Sequence, residues 1–240
     1  MTTLLLLHGL GGDGGLWAPL LAEARWPGPV VDIDLDGHGG RPAPLRPAIG
    51  TLAAGVAARE LPGDDVVVLG HSLGGAVGVL LATGLYGVRV RRLAIFGVKD
   101  DWDPDLVARL HRGADAPART FATREEALER AALLAGVRGE VEGTPVTRGV
   151  AENGDGTWST GFAPSSNLVA GQRVAALAPA LTCPLLVVRG GDDPLVTPAE
   201  AAAFGIDPVT IAGAGHHPHL THPADLWAEV GPFLREGLDA

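Results

Sequence analysis

The sequence predicts a doubly wound α/β fold on a mostly parallel sheet, and three observations predict it. Short apolar runs bounded by Gly, Pro and Asp alternate with helical patterns along most of the chain. The runs are apolar at successive positions rather than at every second one, as strands covered on both faces require. A length of 240 residues, 46% of them hydrophobic, supplies ample core for one large domain or two small ones.

Each element follows from its local sequence. The first strand is expected over Thr3–His8; it has no basic leader and no small-residue cleavage site, so it reads as a strand and not as a signal peptide. The helix Leu16–Arg25 leads to a second strand, Val30–Ile33, and a helix Thr51–Glu60. The third strand, Val66–Leu69, runs into a helix Leu73–Tyr86, and the fourth strand is Arg92–Phe96. The rhythm then breaks. Residues 98–163 hold no good parallel strand and read as a small cap inserted into a core made of 1–97 and 164–240. Within the cap, Asp100-Asp101-Trp102-Asp103 reads as a solvated acidic turn with a helix cap. Thr123-Arg124-Glu125-Glu126 is a capping box that opens a helix over Thr123–Ala135, with Glu126 and Arg130 paired one turn apart. Val146–Ala151 and Thr157–Phe162, joined through Asn153-Gly154-Asp155-Gly156, read as a hairpin. The core resumes with a helix Leu168–Ala178, strands Pro184–Val188 and Pro208–Ile211 around a helix Pro198–Phe204, and a last helix from Ala224 to Glu236.

The join between the third strand and its helix reads Gly70-His71-Ser72-Leu73-Gly74-Gly75. This is a Gly-x-Ser-x-Gly turn between a strand and a helix, the context of a nucleophile elbow. Ser72 then stands at a helix N-terminus, where free N–H groups and the helix dipole favour developing negative charge. A serine hydroxyl needs a histidine to take its proton, and the histidine needs a carboxylate to hold its tautomer. Candidates occur in the expected chain order. Gly190-Gly191-Asp192-Asp193 follows one strand, and Gly215-His216-His217-Pro218-His219 follows the last.

With these motifs the chain resembles the α/β-hydrolase superfamily over essentially its whole length. It looks like a trimmed version that begins directly on the His-Gly strand. The resemblance implies Ser72 as nucleophile, Asp193 rather than Asp192 as the acid, and His216 rather than His217 or His219 as the base. It also implies an oxyanion hole from the backbone N–H groups of Leu73 and of Leu10, the residue after His8-Gly9, with Gly11 as the neighbouring alternative. The segment Asp34-Leu35-Asp36-Gly37-His38-Gly39 resembles the family's Asp-x-x-Gly-x-Gly loop and is expected to do structural work. Leu10, Trp17, Leu73, Leu106, Trp102, Trp158, Phe162 and Val196 are the expected pocket wall. It is apolar and without a charge-recognising arginine.

Other readings explain less. Gly9-Leu10-Gly11-Gly12-Asp13-Gly14 matches a dinucleotide fingerprint but leaves Ser72, Asp193 and His216 as accidents. The histidines between His216 and His222 lack the spacing of a helical metal site, and Pro218 and Pro223 break any helix there. A serine at the elbow argues against haloalkane or epoxide chemistry, which in this family uses a carboxylate. A net charge of −10 with no basic cluster argues against nucleic-acid or anionic-membrane partners, and a single cysteine, Cys183, excludes an internal disulfide. The expectation is a cytoplasmic serine esterase without metal or cofactor. It would cleave a small, largely apolar ester or lactone through an acyl-enzyme. Carbon–carbon or thioester hydrolysis, acyl transfer and a ligand-receptor role are the alternatives on the same fold.

Overall fold

The computed structural model describes residues 1–59, 61–62, 65–140 and 146–238. Glu60, the expected end of the second helix, and 141–145 within the expected cap lie outside them. Strand β1 is Thr3–Leu7; a 3-10 turn, Gly14–Trp17, passes into α1, Ala18–Glu23. Then come β2 (Val30–Ile33), α2 (Ile49–Ala57), β3 (Asp65–His71), α3 (Leu73–Ala82) and β4 (Arg89–Phe96). Between β4 and the end of the small sheet come α4 (Pro104–Ala114), β5 (Thr120–Phe121), α5 (Arg124–Leu134), β6 (Ala151–Glu152) and β7 (Trp158–Ser159). Last are β8 (Leu185–Gly190), α6 (Pro198–Ala202), β9 (Val209–Ile211), α7 (Pro218–Thr221) and α8 (Pro223–Arg235).

The main sheet runs in the order β2-β1-β3-β4-β8-β9, with every pairing parallel. The continuous apolar runs are explained by cover on both faces. Leu4 and Leu6 of β1 face α8 and Trp17, whereas Leu5 and Leu7 face α2 and α3; all four are fully buried. Each such leucine contributes about 2 kcal/mol of burial. The order reverses between β1 and β3, because β1 leads outward to β2 and β3 leads the other way to β4. Such a switch point opens a crevice at the C-terminal strand ends. The register Leu7↔Gly70 brings the loop after β1 beside the elbow after β3.

Four expectations are corrected by the structure. The helix Leu73–Tyr86 stops at Ala82. The stretch Leu168–Ala178 is two 3-10 segments, Pro164–Val169 and Ala175–Ala180. They are separated by Gly171, whose φ of 88° no right-handed helix contains. The hairpin arms are shorter than Val146–Ala151 and Thr157–Phe162. Only β6 and β7 pair, and β5 adds a third strand to this small sheet. The Asp100–Asp103 turn is not solvated throughout. Asp103 caps α4 by accepting from the Leu106 N–H at 2.8 Å, but Asp100 is buried and accepts the N–H groups of Val174 and Ala175.

Candidate active site

Ser72 is where β3 turns into α3 within a single residue. It is the one non-glycine with positive φ among the described residues, at φ 49°, ψ −116°. Such a conformation costs on the order of 1–3 kcal/mol and persists where surrounding structure enforces it. Two constraints enforce it here. The Ser72 N–H donates to the Phe96 carbonyl at 2.9 Å. Gly74 lies so close under β1 that any Cβ would strike the carbonyls of Leu7 and His8. The Leu73 N–H is the first of α3 and so has no partner within the helix. The facing turn closes through the Gly12 N–H to the Gly9 carbonyl at 3.1 Å, and Leu10 lines the same cavities as Ser72.

The loops after β8 and β9 bring the acid and base candidates together. His216 Nδ1 donates to Asp193 Oδ2 at 2.9 Å, and both side chains are buried. Asp193 Oδ1 accepts the N–H groups of Leu195 (2.8 Å) and Val196 (3.2 Å). Burial pushes the Asp193 carboxyl upward. The hydrogen bond and charge of His216 and the two backbone donors outweigh it, and the group is held below the usual carboxylate range. Asp192 is exposed and offers only its backbone, to Ala214.

A layer of histidines lies beneath. His71 Nε2 donates to the His216 carbonyl at 3.0 Å, and its ring stacks on Phe96 with centroids 4.9 Å apart. His219 is fully buried, 4.9 Å from Trp17 and 4.7 Å from His71 between ring centroids, with neither nitrogen hydrogen-bonded. Burial, reinforced by neighbouring histidines, pushes His71 and His219 well below the ordinary histidine range, so both are neutral. His217 Nδ1 sits 2.9 Å from Glu140 Oε2 without hydrogen-bond alignment. Under the loop after β1, His8 Nδ1 donates to the Gly9 carbonyl and Nε2 accepts the Leu35 N–H; burial lowers its pKa to about 4. Asp13 caps the following 3-10 turn and accepts the Arg148 N–H. Burial pushes its carboxyl up to about 6 despite these donors. The acidic residues after the glycine turn are engaged within the chain. Asp34 accepts the Gly14 N–H, and Asp36 pairs with Arg59 and Arg41.

Ser72 and His216 line one cavity of about 420 Å³. Leu106 and Leu110 of α4 and Leu133 and Leu134 of α5 form its apolar roof, and Leu10, Trp102 and Leu195 extend it. A second cavity of about 30 Å³ shares Leu10, Ser72, Lys99 and Trp102 with the first, and is otherwise walled by Ile49, Leu73, Ala76, Val169 and Gln172.

Four expected wall residues are placed elsewhere. Trp17 is fully buried below the site against Phe96. Trp158 stands in the small sheet opposite Phe121 and Glu152. Phe162 packs on His38, with ring centroids 5.2 Å apart. Val196 is core and presents only its N–H, to Asp193. The wall residues that were missed were partly legible. Leu110 lies one turn beyond the expected Leu106 on α4, and Lys99 follows the end of β4, where site residues of this architecture gather. Gln172 left no local signal.

Comparison with known proteins agrees with this architecture. A family model described as the Alpha/beta hydrolase family matches residues 4–230. The chain is 28% identical over 96% of its length to the biotin biosynthesis bifunctional protein BioHC of Cellvibrio japonicus, of which it spans about half, 47%. It is 26% identical over 96% of its length, and 92% of the relative's, to the pimeloyl-[acyl-carrier protein] methyl ester esterase of Stenotrophomonas maltophilia. Among solved structures, a thermophilic esterase from Thermogutta terrifontis superposes with a TM-score of 0.72 at 23% identity, over 98% of this chain and 90% of that one, a likeness of fold. No helix among the described residues is long and apolar enough to cross a membrane.

Proposed function

The chain belongs to the alpha/beta hydrolase family, and from that premise we propose that it hydrolyses a small, largely apolar carboxylic ester or lactone through an acyl-enzyme on Ser72. The observation that carries this reading is the opening of Ser72 and of the Asp193-bound His216 into one cavity that is mostly apolar, with Lys99 and Glu140 also on its wall. With Nδ1–H committed to Asp193, His216 presents an unprotonated Nε2. It takes the proton of Ser72 Oγ as that oxygen bonds to the carbonyl carbon. The carbonyl oxygen gains the negative charge, and the N–H groups of Leu10 and Leu73 are the donors assigned to it. Collapse breaks the carbon–alkoxy bond, and His216 passes its proton to the departing alkoxide. Water, activated by the same histidine, then releases the acid. The methyl esterase named among the relatives supports an ester as the substrate class.

Intact-mass spectrometry after treatment with a fluorophosphonate tests the reading. One adduct on the wild type and none on Ser72→Ala is the expected result. An unlabelled, folded wild type would overturn the acyl-enzyme.

A further inference from the structure

We infer that the substrate is a short-chain acyl ester, acetyl or at most propionyl, of a bulkier apolar alcohol; this rests on the acyl-enzyme reading above. The two cavities meet at Ser72 but differ in size and in chemistry. The cavity of about 420 Å³ contains His216, and the one of about 30 Å³ does not. A single water needs roughly 10–15 Å³ and a methyl group more than a water, so the small lobe takes one or two carbons.

The order of bond breaking decides which arm of the ester goes where. The departing alkoxy oxygen collects a proton from His216 Nε2, so it must lie within hydrogen-bond reach of that ring. That places the alcohol in the large lobe. The oxyanion takes the N–H groups of Leu10 and Leu73, and the remaining substituent of the tetrahedral carbon, the acyl chain, points to the small lobe. Its wall is anchored by hydrogen bonds. Gln172 Oε1 accepts the Ile49 N–H at the start of α2 at 2.9 Å. The backbone just beyond Gln172 is held through Val174 and Ala175 by the buried Asp100. The large lobe, by contrast, is roofed by leucines from α4 and α5.

Two isomeric esters of identical composition and similar hydrophobicity, hexyl acetate and methyl heptanoate, separate the arms. The wild type should favour hexyl acetate by about tenfold or more in kcat/KM, the effect of a chain too long for its pocket. Equal rates, or faster turnover of methyl heptanoate, would overturn the assignment while leaving the acyl-enzyme intact. Hydrolysis of neither would overturn it too, and fluorophosphonate labelling would then tell whether the acyl-enzyme falls with it. Val169→Ala enlarges the small lobe and should raise the ratio of p-nitrophenyl butyrate to acetate turnover by about tenfold. Gln172→Ala is the second variant should the first fail to fold. An unchanged ratio in a folded variant would overturn the small lobe as the acyl site.

Discussion

At the scale of single residues, adjacent aspartates have opposite fates. Asp193 accepts three hydrogen bonds, one of them from His216, while Asp192 points to solvent. Asp193→Asn keeps the shape but can no longer hold the imidazole in the same tautomer, so kcat should fall by about 10⁴. Asp192→Asn should stay within a factor of two or so of wild type, as exposed substitutions do. Steady-state kinetics on a short-chain aryl ester reads both, and the reverse ranking would reassign the acid. The Ser72 elbow was legible because its glycines are demanded by the turn itself, a purely local requirement. The choice between Asp192 and Asp193 needed the family pattern, since the sequence does not say which way each side chain leaves the loop. The pocket wall was the least legible. Trp17 and Phe162 have the composition of a ligand wall but fill core space, and Gln172 reaches the site through a contact 123 residues away along the chain.

At the scale of elements, local signals worked where a helix end was closed by its own side chains. In α5, Thr123 Oγ1 accepts the Glu126 N–H at 3.2 Å, and the Glu126 carboxylate accepts the N–H of Thr123 in return. Thr123→Ala should cost about 1 kcal/mol and lower Tm by roughly 2–4 °C, measurable by calorimetry. An unchanged Tm would mean that packing alone holds the first turn. Elements set by distant contacts were read wrongly. The segment after residue 164 has helical composition, yet its backbone is fastened at Val174 and Ala175 by Asp100 from before α4, which leaves it in short 3-10 turns.

At the scale of the whole molecule, the sheet order brings together loops that lie far apart in sequence. His71 and His216 are 145 positions apart and joined by one hydrogen bond. Alternation of strands and helices foretold the fold class, but the position of the order reversal between β1 and β3 is a property of pairing, which one sequence does not display. The contact of Arg148 with β2 and the loop after β1 also couples to pH. Arg148 reaches Asp32 through a bidentate pair at 2.7 and 3.2 Å, and its N–H meets Asp13. The Asp13 carboxyl, at about 6, lies above its unfolded value of 3.8. The folded protein therefore keeps a proton that the unfolded chain releases, and stability from this group falls as pH rises from about 4 to 6. Relative to Asp13→Asn, the wild type should lose about 2–3 kcal/mol between pH 4 and pH 7 in urea denaturation. A pH-independent difference would show that Asp13 is ionised throughout.

The four leucines over the large lobe belong to α4 and α5, whereas nucleophile, base and acid candidates stand on loops of the main sheet. None of the four belongs to the clusters that cover that sheet, and Leu133 is 48% exposed. In a duplicated gene, substitutions at these positions would escape the purge that removes damage to folding. The small lobe shares Ile49, Ala76 and Val169 with the core and has no such latitude. On the proposed assignment of the two lobes, descendants of this chain would diverge first in the alcohol they release, and only later in the acyl group they carry.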